Sequence, residues 1–154
     1  MSGPRLAVKA LLLRGGQVLM NHVVDPDGRD VYTLPGGGQE HGESQPEALV
    51  RECAEEIGAR VTVHQVACLF EVRQETRLRD GAPIPLFHQV NVAYWCGLED
   101  GEEPSVGSDP DPGQVGTRWL PIERLGEFAV HPPELSRWLR SDPSARPISL
   151  GVTT

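Results

Sequence analysis

"GGQEHGESQPEALVRECAEEIGA", residues Gly37 to Ala59, combines the clearest helix signal in the chain with its tightest spacing of glutamates. Gly37, four intervening residues, Gly42 and then Glu43-Ser44 share the glycine spacing of a phosphate-cradling P-loop, where a lysine reaches the phosphates. Here Glu43 stands at the lysine position. A P-loop nucleotide triphosphatase is disfavoured by that single residue, and a positive group for phosphate must come from elsewhere.

Gln45 to Ile57 predicts a helix. Ser44 can cap it, Pro46 is tolerated in the first turn, Glu47 completes a Ser-x-x-Glu capping box, and Gly58 supplies the stop. At about 100° per residue, Leu49, Val50, Cys53, Ala54 and Ile57 share one arc. Glu52, Glu55 and Glu56 fall on a nearly opposite arc, with Arg51 beside them. Like charges at these spacings oppose helix formation by about 0.2–0.5 kcal/mol per exposed pair. Two carboxylates ~4 Å apart in a cleft repel by ~4 kcal/mol at an effective dielectric of about 20. Arg51 alone cannot neutralise three carboxylates, whereas a bound divalent cation can.

Taken alone, this face also fits a solvated helix with Glu–Arg pairs. The glycine loop tilts the reading toward a site, because a backbone without side chains lets carbonyl oxygens and a substrate approach the carboxylates. Oxygen donors without a His/Cys cluster select Mg²⁺ or Mn²⁺. Glu43 is expected to pair with Arg51 and steady the loop against the helix, with direct metal ligation as the second reading.

The whole chain sets the frame. Its 154 residues fit one domain over 1–154, and 38% apolar residues plus 17 glycines are ordinary for a soluble globule. With 22 acidic and 14 basic residues the net charge is −8, which argues against a nucleic-acid polymer or an anionic membrane as partner. A homodimer stays open. Cys53, Cys68 and Cys96 are odd in number and lack CxxC spacing, which points to buried thiols in a reducing compartment. The opening "MSGPRLAVKALLLRGG" is too short for a membrane span and lacks a secretory layout, so a cytoplasmic protein is expected.

Working outward, Leu6–Leu13 and Gln17–Val24 read as strands joined by the hairpin signal "RGG", followed by a turn at "DPDGRD" and a short strand at Val31–Leu34. Val61–Arg73, Leu86–Cys96 and Arg118–Ile122 also read as strands, with a loop over 74–83. Leu98 to Pro112 carries six acids, three prolines and no base, and reads as a solvated loop rather than a metal site. Leu135, Trp138 and Leu139 mark a helix after Pro133. The stretch from Ser144 to Thr154 is either loose or a terminal edge strand. The elements suggest a sheet packed between helices.

Gly37, five residues, Glu43, seven residues, then Arg51-Glu52-Cys53-Ala54-Glu55-Glu56-Ile57-Gly58-Ala59 resembles the Nudix box, with all seven fixed positions present. A chance match at a given start is on the order of one in 10⁸. Weaker resemblance extends to "YTLPGGG" before the box and "RWLPIERL" from Arg118, while Cys53 and Ala59 replace the usual bulky aliphatics. The resemblance implies an α/β fold, the Nudix-type α/β/α sandwich with a mixed sheet. It also implies hydrolysis of a nucleoside diphosphate linked to another group, with Mg²⁺ or Mn²⁺ required. Carried over, Glu52, Glu55 and Glu56 match the metal-binding glutamates, and the Gly37 carbonyl matches a frequent extra ligand. The mechanism expected from the resemblance is attack of water on one phosphorus, with Glu52 oriented by Arg51 as candidate general base and Glu55 as second choice.

The proline or tyrosine that often marks family members acting on ADP-ribose or dinucleoside polyphosphates is absent from "EVRQETR", Glu71–Arg77. A nucleoside triphosphate, oxidised or not, or a nucleotide sugar is left as substrate. A non-catalytic nucleotide-binding module is the competing class, and the intact glutamates count against it. Base contacts are sought among His88, Gln89, Asn91, Tyr94 and Trp119, although His88 reads better as structural and Trp119 and Trp138 as core. Arg5, Lys9, Arg14 and Arg29 are bases without an assigned role.

Overall fold

The computed structural model describes residues 3–74 and 87–154. Strand β1 (Arg5–Arg14) turns into β2 (Gln17–Val24) through Gly15 and Gly16. Both glycines have positive φ, 55° and 75°, the twist that a two-residue hairpin requires. The hairpin pairing stops after Leu13↔Val18, so most of β1 is free to pair elsewhere. It runs parallel to β6 (Phe87–Leu98) on one side and antiparallel to β4 (Gly36–Gly38) on the other. β1 is thus central, which explains its near-continuous apolar run.

The remaining strands are β3 (Asp30–Thr33), β5 (Val61–Gln74), β7 (Gln114–Pro121), β8 (Val130–His131) and β9 (Ser149–Thr153). The strand order is β8-β3-β2-β1-β6-β5-β9, with β4 added on β1 and β7 on β2. The mixed sheet is covered on both faces. Helix α1 (Gln45–Ile57) lays Ala48, Leu49, Cys53 and Ile57 against Val8, Ala10, Leu12 and Leu19. Helix α2 (Glu134–Arg140) and the 3₁₀ turn before it bring Leu125, Leu135, Trp138 and Leu139 onto Leu11, Met20, Tyr32 and Phe70. The expected α/β/α sandwich is the observed one.

Several local expectations shift. The expected glycine loop begins with a short strand, β4, because β1 has an unpaired edge there. β7 starts four residues earlier than its apolar pattern suggested, and the C-terminal stretch does form an edge strand, parallel to β5. Gln74 closes β5, while the rest of the loop expected over 74–83, and Leu86 of the expected strand, lie outside the described residues. Cys53 and Ala59 are fully packed at 0% and 2% exposure, so small side chains suffice at those positions. Among the described residues no helix is long and apolar enough to cross a membrane.

Both ends of α1 are secured. Glu47 N–H donates to Ser44 Oγ at 3.2 Å, and Ser44 Oγ in turn donates to the Glu47 carboxylate at 3.0 Å. Gly58 closes the helix with φ 60° in the left-handed region. Beyond it the acidic loop is more than a solvated connection. Ser105, Gly107 and Asp109 donate backbone N–H groups to the carbonyls of Ile57, Glu56 and Glu55 at 2.8, 3.0 and 2.8 Å. These are the carbonyls that a helix end leaves without partners. Gly107 is required there, since a Cβ would run into the Glu55 carbonyl.

Gly107→Ala is therefore expected to destabilise the protein by about 1–3 kcal/mol, the usual cost of overpacking. Urea denaturation would read this as a lower midpoint at unchanged slope; an unchanged midpoint would contradict the capping role of the loop.

Candidate active site

α1 places Arg51, Glu52 and Glu55 on its solvent side, and β4 brings the glycines against them. Arg51 is the hub. It donates to both oxygens of Glu43 at 2.6 and 3.1 Å, to Glu52 at 3.0 Å, to Glu55 at 3.3 Å and to the Gly38 carbonyl at 3.0 Å. The two-pronged pair with Glu43 is the geometry that guanidinium and carboxylate favour. Glu43 also accepts from the Glu40 N–H at 2.8 Å, so the loop is tied at both ends. Arg51 first, then this backbone bond, hold the Glu43 carboxyl below the usual carboxylate range.

Glu52 lies directly on Gly37. A Cβ at Gly37 would sit 2.5 Å from the Glu52 carboxyl carbon, so only glycine admits the carboxylate at this place. Burial pushes the Glu52 pKa up, Arg51 opposes it, and the carboxylates of Glu55 and Asp111 add to the rise. One guanidinium serving Glu43, Glu52 and Glu55 leaves the cluster negative.

Glu56 is placed differently from its neighbours. It is 1% exposed and points under the loop, where Oε1 accepts from Gly36 N–H at 3.0 Å and from the Asn21 amide. Gln114 closes the group by donating to the Glu56 carbonyl at 3.1 Å and to Asn21 Oδ1 at 3.4 Å. Burial, followed by the adjoining Asp111 carboxyl, pushes the Glu56 pKa up to about 8, against the pull of Lys9 and the Gly36 N–H.

The donors gathered here are hard oxygens, with no imidazole or thiolate among them, which fits Mg²⁺ or Mn²⁺. Among the described residues no three His, Cys, Asp or Glu side chains already form a closed metal cage. Mg²⁺ is ordinarily held by one or two carboxylates plus water and phosphate oxygens, so such a partial shell suits it.

Asp111, Asn21 and Gln114 were not singled out from the sequence. Asp111 hid in an acidic run that reads as solvated. Asn21 did leave a signal, an amide in the middle of the apolar stretch of β2, between Met20 and His22.

On the opposite face of the sheet is a cleft of about 140 Å³. Phe70, Val72, Phe87, Gln89, Asn91 and His131 line it. Burial is the main cause that lowers the His131 pKa, keeping the ring neutral near pH 7. Of the base-contact candidates, Gln89 and Asn91 lie in this cleft. His88 is paired with Glu71 at 2.8 Å, Tyr94 donates to Gln45 at 2.6 Å, and Trp119 packs on the α1 side beneath Arg14. Trp138 is core, with its Nε1–H on the Pro147 carbonyl at 2.8 Å.

The Glu56 pKa supplies a test of this geometry. Between 4.5 and about 8 the folded metal-free protein keeps a proton that the unfolded chain has released. Its stabilising contribution is full below pH 4.5 and is lost as pH rises through about 8. Chelator-treated protein is expected to lose stability across this window, and Glu56→Gln to flatten the loss. Equal slopes in denaturation curves of the two proteins would contradict the placement.

A family model described as the NUDIX domain matches residues 3–140. The fold is similar to that of a NUDIX hydrolase from Nitrosomonas europaea, with TM-score 0.68 and 19% identity over 99% of this chain and 80% of that one. A MutT NUDIX hydrolase from Burkholderia pseudomallei gives TM-score 0.67 and 23% identity over 91% of this chain and 100% of its own. An ADP-ribose pyrophosphatase from Streptococcus suis gives 0.58 and 19% over 98% and 100%. At these identities the likeness is one of fold, and it is the family model, spanning most of the length, that decides: the chain belongs to the Nudix family of pyrophosphate-bond hydrolases.

Proposed function

We propose that the protein hydrolyses the pyrophosphate linkage of a nucleoside diphosphate derivative, either a nucleoside triphosphate, oxidised or not, or a nucleotide sugar, with Mg²⁺ or Mn²⁺ as cofactor. The observation that carries this reading is the packing of Glu52 on Gly37 beside Glu55, with Arg51 alone among the described residues pairing with them. Glu52, Glu55 and the Gly37 carbonyl would hold the cation, and Glu56 would join through the oxygen not engaged by Asn21 and Gly36. When bound, the ion screens phosphate charge, acidifies water and stabilises the leaving phosphate.

The protein groups have separate tasks. Arg51 fixes the Glu52 carboxylate through one N–H and holds the loop through the Gly38 carbonyl and Glu43. Glu52 is the proposed general base. Asp111 adds negative charge beside Glu52 and Glu56. The cleft on the other face is the proposed base site. Whole-ligand pockets run to roughly 300–1,000 Å³, so a smaller hollow with phenylalanines and two amides suits a single ring system.

A panel of nucleoside triphosphates and nucleotide sugars, assayed for orthophosphate, pyrophosphate and nucleotide products with Mg²⁺ or chelator, tests the reading. Cation-dependent cleavage is expected, and Glu52→Gln or Glu55→Gln should lower kcat by about 10²–10⁴-fold, the scale of lost acid–base catalysis. Chelator-resistant cleavage, or full activity in either variant with its fold intact, would overturn the assignment.

A further inference from the structure

We propose that Arg5 is a substrate-binding residue whose guanidinium takes a non-bridging oxygen of the substrate's diphosphate on the cleft side of Gly38. The inference rests on the pyrophosphohydrolase reading and adds the positive group that the Glu43 substitution leaves wanting.

Strand parity supplies the geometry. Along β1, Val8, Ala10 and Leu12 face α1, while Leu11 faces the α2 side. Arg5, Ala7 and Lys9 share the parity of Leu11, and so lie on the cleft side. β4 pairs with this strand so that Gly37 stands opposite Val8 and Gly38 opposite Ala7. The two glycines therefore face opposite sides of the sheet. The place of a Gly37 side chain is taken by the Glu52 carboxylate, 2.5 Å from the Cβ position. The place of a Gly38 side chain is taken by Arg5, with one terminal nitrogen 2.5 Å and Nε 2.7 Å from that position. One peptide thus carries a carboxylate on one face and a guanidinium on the other, and Arg51 anchors it through the Gly38 carbonyl.

The strand between them keeps Arg5 from neutralising Glu52. In a chain of net charge −8, three of the described arginines pair with carboxylates, Arg14 with Glu103, Arg51 with Glu43 and Arg124 with Glu127, and Arg5 is among those that do not. Arg5 has no ion pair among the described residues, and it is exposed. Its register partner Gln89 lines the cleft, as does Lys9 two turns of the pleat along the same strand. A ligand with its base in the cleft and its phosphates at Glu52 must pass this edge. Five N–H donors in a planar fork match phosphate oxygens there.

The test is equilibrium binding of inorganic pyrophosphate and of α,β-methylene nucleoside diphosphates in Mg²⁺, with wild type, Arg5→Ala and Arg5→Lys, alongside steady-state kinetics on the best substrate of the panel. Arg5→Ala is expected to weaken pyrophosphate binding and raise KM by about 10–100-fold, the worth of a charged hydrogen bond, with kcat and melting temperature little changed. Arg5→Lys should recover part of the loss. Wild-type affinity and KM in Arg5→Ala would overturn the proposal while cation-dependent cleavage by the wild type still supported the function. A wild type that neither bound nor cleaved would overturn both.

Discussion

The guanidinium of Arg51 is the contact on which the site depends. It reaches Glu43 in the loop, Glu52 and Glu55 on its own helix, and the carbonyl of Gly38 in the neighbouring strand. A lysine could not reproduce this, because a single ammonium lacks the fork needed to grip Glu43 while touching three other acceptors. The glutamate in the place of a P-loop lysine thereby acquires a reason. Glu43 is an anchor for Arg51, and Arg51 in turn sets the carboxylate at which a cation would bind.

Around this contact the sheet separates two kinds of surface. On the face covered by α1 are the carboxylates and glycines. On the other are the phenylalanines and amides of the cleft. The two meet at the short strand β4, whose glycines permit close approach from both sides. Glu56 lies beneath, joined to Asn21 of β2 and to Gly36 of β4, and so ties the helix to the central sheet and the loop. The acidic connection from β6 to β7 completes the arrangement by capping α1 and delivering Asp111.

The helix and its acidic face were legible because their determinants are local. Ser44, Pro46, Glu47 and Gly58 mark the ends through interactions within a few residues, and helical periodicity separates Leu49 and Cys53 from Glu52 and Glu55. The first hairpin was legible for the same reason, since Gly15 and Gly16 alone satisfy its turn. What remained hidden depends on distant partners. Nothing near Gly36–Gly38 announces pairing with β1, and the acidic run conceals the backbone donors at Ser105, Gly107 and Asp109 because composition says nothing of N–H direction. Asn21 was visible as an oddity, but its partner Glu56 is 35 positions away. Glu56 is grouped with Glu52 and Glu55 by their close spacing, although seven residues of helix set it about 20° from the buried Leu49 and so on the packed side.

The physical claim beneath all of this is that burial beside Asp111 leaves Glu56 holding a proton in the metal-free protein, and that this proton gives way when a divalent cation joins the crowded Glu52 and Glu55. Calorimetric titration of Mn²⁺ into chelator-treated protein at pH 7, in two buffers of different ionisation enthalpy, measures both quantities at once. Saturable binding with net release of protons is the predicted result. Absence of binding, or binding with no proton released, would contradict the account.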